Sequence, residues 1–419
     1  MTQQSMDKAS PAQSNNFAMA VAATVFFLFG FATSLNGVLQ PHLKSIFNLN
    51  YGQATLVQSA WFVAYLVFSM PAAALMAKIG YQKAMVLGLG VMGFGALLFY
   101  PAAGTLSYGV FLAAIFVLAA GVTMLQVAAN PFVTLLGPQS GASSRLNLAQ
   151  AFNSVGQMLA PYLGGLLFLS AVAITGVMDD AHRITAANAV KPPYLAMAGV
   201  LLVLALVLSQ LKLTLPAELH SGGPSEGDSV WKHPHLVLGA IAIFLYVGAE
   251  ICISSLFVNY LSQPDIGNMA PKAAAGYLSL LWVGMIVGRL LGTVLMRKIP
   301  GGKVLGWAAA FSLVLTVITI MSTGTVAVWS IVLLGLGESV MFPTIFALAV
   351  SQLGTLTAKG SGMMNVAIVG GAVMPPIQGM LADAIGLHVS YIVPGLCYLF
   401  VLYYGFIGSK IRATEGIAS

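Results

Sequence analysis

Apolar residues in this chain come in long runs rather than in the period-two alternation of half-buried strands. Twelve runs have about the 20 residues a helix needs to cross hydrocarbon: 18–44, 54–77, 84–103, 107–135, 147–170, 193–211, 235–261, 273–296, 304–322, 326–352, 360–382 and 389–408. Lipid offers no partner for an open backbone, so each run is predicted to be helical. Most connections are short. The longer ones are a segment at 171–192 and KLTLPAELHSGGPSEGDSVWKHP at 212–234, rich in Gly, Pro, Ser and charge, which divides the spans six and six. The expected organisation is a polar tail at 1–16, a six-helix bundle at 17–211, a linker at 212–234, a second bundle at 235–409 and a tail at 410–419.

Composition strengthens this reading. The chain is 58% hydrophobic and 7% charged, whereas a soluble domain carries roughly 25% charged residues. Its own core cannot cover so much apolar surface, so a lipid bilayer is the expected partner. Of the 17 Lys and Arg, twelve fall on the side of the N-terminus, four on the other (Lys44, Arg183, Lys191, Lys272), and Arg289 lies within a span. That bias places both termini in the cytoplasm. The spread of basic residues over short loops argues against a nucleic-acid partner. The N-terminus lacks the apolar core and cleavage site of a secretory signal. Cys252 and Cys397 both lie in apolar runs, where packing is the expected role; neither a disulfide nor a metal framework follows.

The two halves echo each other. MAKIGYQK (76–83) matches MRKIPGGK (296–303), APYLGGLL (160–167) matches PPIQGMLA (375–382), and NPFVTLL (130–136) matches FPTIFAL (342–348) through Pro131 and Pro343. The matches keep their order. They describe an all-α membrane protein of two pseudo-symmetric six-helix bundles, an arrangement that resembles the major facilitators, with a central site between the halves. Gln126 and Glu338 each stand five residues before their proline. They are therefore expected at equivalent places in spans 4 and 10, helices that the resemblance implies line the cavity; for Glu338 a lipid-facing carboxylate at mid-span would cost at least about 2.5 kcal/mol.

Polar residues on the spans fall into stripes. Thr33, Asn36, Gly37 and Gln40 share one helical face of span 1, and Asn147, Gln150, Ser154 and Gln157 one face of span 5 with Asn153 beside it. Gln126 and Asn130 in span 4, Asn365 in span 11 and Trp282 in span 8 complete the candidates. Amides also bond helices together in membranes. Amides from several helices at one depth suit a neutral polyol, because each hydroxyl both donates and accepts, and Trp282 offers an aromatic face. Glu250 and Glu338 are the deep acids and the candidates for ion coupling; both are also candidates for sugar contact, and a structural role for either remains an alternative. Arg289 is expected to serve an inner gate or a structural clamp, with Arg145, Lys78 and Lys298 at the inner ends. No nucleotide-binding glycine loop, metal-ligand spacing or nucleophile–base set stands out, so neither enzyme activity nor a cofactor is expected.

LNGVLQPH, LQVAANPFVTLLG, RLNLAQAFNSVG, FLYVGAE, VGRLLGTVLMRKI, FPTIFALA and AIVGGAVMPPIQGMLAD together resemble the fucose–galactose–glucose:proton symporter family of the major facilitators. The likeness runs from Phe26 to Gly408 and leans toward the bacterial glucose/galactose permeases. It implies uptake of a hexose across the bacterial inner membrane by alternating access, with a proton or sodium ion as co-substrate and a monomeric carrier. Two departures stand out: the fucose branch has an aspartate where this chain has Gly37 and a glutamate where it has Gln126, the two carboxylates associated with proton coupling there. A passive facilitator, or a permease for N-acetylglucosamine, fructose or sucrose, is the alternative.

Overall fold

The computed structural model describes residues 11–49, 51–164, 180–211, 213 and 229–411. Among the described residues the secondary structure is helical, without a strand. The first half comprises α1 (Pro11–Ile46), α2 (Tyr51–Ile79), α3 (Tyr81–Leu97), α4 (Phe99–Thr105), α5 (Tyr108–Thr134), α6 (Ala142–Gly164), α7 (Asp180–Asn188) and α8 (Lys191–Gln210). The second comprises α9 (Pro234–Leu261), α10 (Pro271–Leu295), α11 (Gly301–Met321), α12 (Gly324–Glu338), α13 (Met341–Ala349), α14 (Thr357–Val366), α15 (Gly370–Ile385), α16 (Leu387–Ser390) and α17 (Ile392–Tyr403). Among the described residues, eleven segments are long and apolar enough to cross a membrane. The amide-bearing α6 runs against α1 as the twelfth crossing element.

Within the first half α1 packs along α6, α5 lies against α2 and α3, and α8 covers α3. In the second, α10 and α11 flank α12, and α9 lies against α13, α15 and α17. The halves meet where α6 touches α10 and α13 and where α14 touches α2 and α5. Small residues permit the close crossings. A Cβ on Gly30 would run into the Asn153 carbonyl, and one on Gly156 into the Phe27 carbonyl, so α1 and α6 approach backbone to backbone. Gly80, at φ 84, turns α2 directly into α3.

Two prolines free carbonyls within the spans, because each lacks an N–H for the carbonyl four residues back. Span 10, expected as one helix over 326–352, is interrupted at Ser339 and Val340 between α12 and α13. Pro343 leaves the Ser339 carbonyl without its helical donor, and Arg289 Nε supplies one at 3.1 Å. Span 4 carries Pro131 yet stays continuous as α5. Its freed carbonyl, Val127, accepts from Ser361 Oγ of the other half at 2.7 Å. Span 3 breaks at Leu98 ahead of Pro101, and span 11 tightens to a 3-10 turn at Ala367–Val369.

Two boundary expectations change. Helix α1 begins at Pro11, inside the stretch read as a tail, and α7 is an additional short helix before α8. Most of the 212–234 linker, the end of span 5 beyond Gly164, and the tail residues 1–10 and 412–419 lie outside the described residues.

Candidate functional site

A cavity of about 710 Å³ lies between the halves, within the usual range for small-molecule sites. The first half supplies most of its polar wall. From α1 come Phe29, Thr33, Asn36 and Gly37, and from α6 Gln150, Asn153, Ser154 and Gln157; of the two predicted stripes, Gln40 and Asn147 fall outside the lining. Gln126 on α5 faces the same space. Helix α2 adds Gln58, Trp61, Phe62 and Tyr65 at i, i+3, i+4 and i+7. The second half contributes Glu250 and Ile251 from α9, Trp282 and Arg289 from α10, Phe342 and Ile368. Among the described lining residues Glu250 is the one carboxylate.

The amides are fixed by one another and by the backbone. Asn153 Nδ2 donates to the Phe26 carbonyl at 3.1 Å, and its Oδ1 accepts from Gln157 Nε2 at 3.0 Å. Gln126 Nε2 donates to the Tyr65 hydroxyl at 2.7 Å. Two acceptors are left over: Gln126 Oε1 and Asn36 Oδ1 are buried and have no protein partner. A buried oxygen left unpaired costs about 1–3 kcal/mol, and both residues belong to the cavity wall.

Arg289 is 5% exposed and forms the floor. Besides Ser339, its guanidinium donates to the Gln150 carbonyl at 2.9 Å and to the Ser154 hydroxyl, both on α6. One side chain thus ties α10, the break in span 10 and the opposite half. Further bonds close the halves below it: Ser144 Oγ to the Thr293 carbonyl at 2.8 Å, Asn147 Nδ2 to Thr344 Oγ1 at 3.1 Å, Gln139 Nε2 to Ser351 Oγ at 2.8 Å and Ser361 to Val127. All lie toward the helix ends that carry Arg145, Arg297, Lys298 and Lys359. The cavity is therefore shut on the basic side, and its lining rises toward Gln58 and Ser279 near the opposite ends of α2 and α10. Ser361→Ala removes one neutral bond of this closure. It is expected to shift the balance of states by about 1 kcal/mol, read as faster maleimide labelling of a cysteine placed at buried Ser351.

Other sequence candidates fall elsewhere. Glu338 is 0% exposed and outside the cavity; one of its oxygens accepts from the Tyr398 hydroxyl of α17, and Oε2 has no protein partner. The Tyr398 hydroxyl holds this carboxylate against α17, whereas its sequence equivalent Gln126 faces the cavity from α5, so the repeat aligns their positions and not their directions. Gln40 is half-buried on α1 beyond the lining stripe. Asn130 is enclosed within the first half with neither amide atom paired, and Asn365 donates to the Ser361 carbonyl at 2.9 Å. Arg145 caps the end of α5, donating to the carbonyls of Val133, Thr134 and Gly137. Lys78 and Lys298 are exposed at helix ends. The α2 wall escaped the sequence reading, although its Gln58 and aromatic spacing carried a signal. Phe29, Phe342 and Ile368 carried none, since an apolar lining residue looks like any other residue of a span.

Sequence and structure comparisons agree with this architecture. A family model described as Major Facilitator Superfamily matches residues 22–368. The chain is 46% identical over 398 residues to a glucose/galactose transporter of Brucella abortus (biovar 1, strain 9-941), covering 94% of each. It is 33% identical to the L-fucose-proton symporter of Escherichia coli (strain K12), covering 92% of this chain and 91% of the symporter. The crystal structure of the Major Facilitator Superfamily transporter FucP in the outward conformation superposes with a TM-score of 0.86 at 32% identity, over 95% of this chain and 100% of that one. The chain is a multi-pass membrane transporter, not an enzyme, and belongs to the Major Facilitator Superfamily, within its fucose–galactose–glucose:proton symporter family.

Proposed function

We propose that the protein imports a hexose, glucose or galactose, across the bacterial inner membrane together with a proton, by alternating access. The observation that carries this reading is the cavity wall. Amides on α1 and α5 leave Asn36 Oδ1 and Gln126 Oε1 as unpaired acceptors, Glu250 adds a third acceptor site, and Trp61 and Trp282 supply ring faces. Hydroxyls of a pyranose satisfy the acceptors, and its C–H face packs on an aromatic. The names of the relatives point the same way: a glucose/galactose transporter and a proton-coupled fucose symporter. With the basic side taken as cytoplasmic, the cavity corresponds to the outward-facing state. Sugar enters from outside, and rocking of the halves breaks the closure below Arg289.

Residue roles follow from placement. Asn36, Gln126, Gln150, Asn153 and Gln157 hold hydroxyls, Trp282 orients the ring, and Glu250 is the acid that meets both sugar and proton. The test is uptake of labelled glucose by proteoliposomes under imposed proton or sodium gradients, with galactose, fructose, sucrose, fucose and N-acetylglucosamine as competitors. Accumulation above equilibrium with an inward proton gradient, blocked by galactose, is the expected outcome. Accumulation driven by sodium alone, or equilibration without accumulation, overturns proton coupling; failure of every sugar to exchange overturns the sugar reading. Trp282→Ala is expected to weaken apparent sugar affinity by about 1 kcal/mol, roughly fivefold, measured by competition in the same vesicles.

A further inference from the structure

Glu338 is a buried acid that the transport scheme above leaves idle. It ends α12 at the break in span 10, fully enclosed. Its surroundings come from four elements. Helix α17 presents Tyr398, whose hydroxyl donates to one carboxylate oxygen. Helix α9 places Tyr246, Glu250 and Cys252 within electrostatic reach of it. Helix α11 brings the Ser312 hydroxyl against the neighbouring Gly337. Helix α10 sends Arg289 to the next residue's carbonyl, Ser339, and onward to Gln150 and Ser154, not to the carboxylate.

This geometry divides the roles of two acids. Glu250 lines the cavity and has Arg289 and Tyr246 within reach. Glu338 has one hydrogen bond, an oxygen with no protein partner, and a place at the negative end of a helix dipole. A buried charge without a cation is compensated poorly, and two carboxylates in mutual reach do not readily ionise together. Of the pair, Glu250 has the Arg289 guanidinium within electrostatic reach, whereas the guanidinium bonds to the backbone beside Glu338 and not to its carboxylate. Between them the buried Tyr246 hydroxyl is hydrogen-bonded to Glu250 and lies within electrostatic reach of Glu338 and Arg289.

We propose that Glu338 is the site that stores the transported proton, reached from the cavity in series through Glu250 and the Tyr246 hydroxyl. The inference rests on the sugar:proton reading and locates its ion. Glu250 takes a proton from the outer solution; Tyr246 receives that proton as it gives its own to Glu338. One proton has then moved inward, the tyrosine is unchanged and Glu250 is again free. Opening the basic side parts α6 from α10 and releases Arg289 from Gln150 and Ser154. The freed guanidinium then stabilises charge on the glutamate pair: Glu338 gives its proton to Tyr246 as Tyr246 gives its own to Glu250, and Glu250 releases that proton into the cavity, now open to the basic side.

The test uses the full chain in liposomes with three readings: sugar counterflow without a gradient, accumulation driven by an imposed pH gradient, and sugar-driven proton entry followed with a trapped pH dye. Glu338→Gln is expected to exchange labelled sugar while its accumulation ratio falls to unity and the dye response disappears. Glu338→Gln that accumulates sugar like the wild type overturns the proposal. Tyr246→Phe leaves both acids in place and is expected to slow proton entry at least about tenfold more than it slows counterflow; equal effects on the two rates overturn the serial route. If Glu338→Gln fails to fold, Tyr398→Phe reads the same acid. A shift in the external pH of half-maximal accumulation supports the proposal, and an unshifted profile overturns it. A wild-type protein that exchanges sugar without proton entry refutes the symport reading itself, an outcome distinct from a Glu338 variant that stays coupled.

Discussion

Arg289→Lys unfastens the closed side of the transporter while keeping the charge. The guanidinium reaches three acceptors at once: the Ser339 carbonyl through Nε, and the Gln150 carbonyl and Ser154 hydroxyl of α6. A lysine is a point charge without that planar fork, so it cannot hold acceptors on both halves. Losing one charge-assisted bond across the halves costs about 2 kcal/mol, roughly thirtyfold in the balance between states. Thr344 reports the change, since it is fully buried where α13 meets Asn147 of α6. In a Thr344→Cys background, Arg289→Lys is expected to raise the rate of labelling by an impermeant maleimide from the basic side about thirtyfold. The native cysteines, Cys252 and Cys397, are both buried and add little signal. Labelling that stays at the parent rate would show that the other cross-half bonds close the gate without Arg289.

The gate also shows where sequence reading succeeds and where it stops. Helical spacing places Asn36, Gln150, Asn153 and Gln157 in one cavity because α1 and α6 run unbroken past it. The same reasoning misdirects Glu338. Its equivalence with Gln126 follows from the distance to Pro131 or Pro343, but direction depends on what holds the side chain, the Tyr398 hydroxyl of α17 in the case of Glu338. In α5 the freed Val127 carbonyl is taken by Ser361 and the helix runs on; in span 10 the freed Ser339 carbonyl goes to Arg289 and the helix breaks beside the acid. Which donor reaches a proline-freed carbonyl is a tertiary fact that no window of sequence contains. Tyr398 and Tyr246, which define the environment of Glu338, lie 60 residues on and on another helix, inside runs that read as plain apolar spans.

Two glycines on α1, Gly30 and Gly37, are expected to behave in opposite ways. Gly30 faces α6, where an added Cβ would strike the Asn153 carbonyl and its side-chain amide. A backbone carbonyl cannot swing aside as a flexible side chain does, so Gly30→Val must push α1 off α6 and disturb the Asn153–Gln157 pair that shapes the cavity. The cost of such overpacking is about 3 kcal/mol, seen as a lower unfolding temperature in detergent and loss of sugar exchange together. Gly37 is exposed to the cavity, and a Cβ there meets nothing within 4 Å. Gly37→Ala is expected to fold at least as well as the parent, since alanine gains about 1 kcal/mol over glycine inside a helix. Gly37→Phe extends a ring into space that sugar occupies, so apparent affinity is expected to fall at least about tenfold, some 1.4 kcal/mol, with the unfolding temperature held. The contrast separates packing from recognition. If Gly37→Phe exchanges sugar with parental affinity, the space beside Asn36 is not where the sugar sits. If Gly30→Val retains parental stability, α1 and α6 have room that their backbone approach denies.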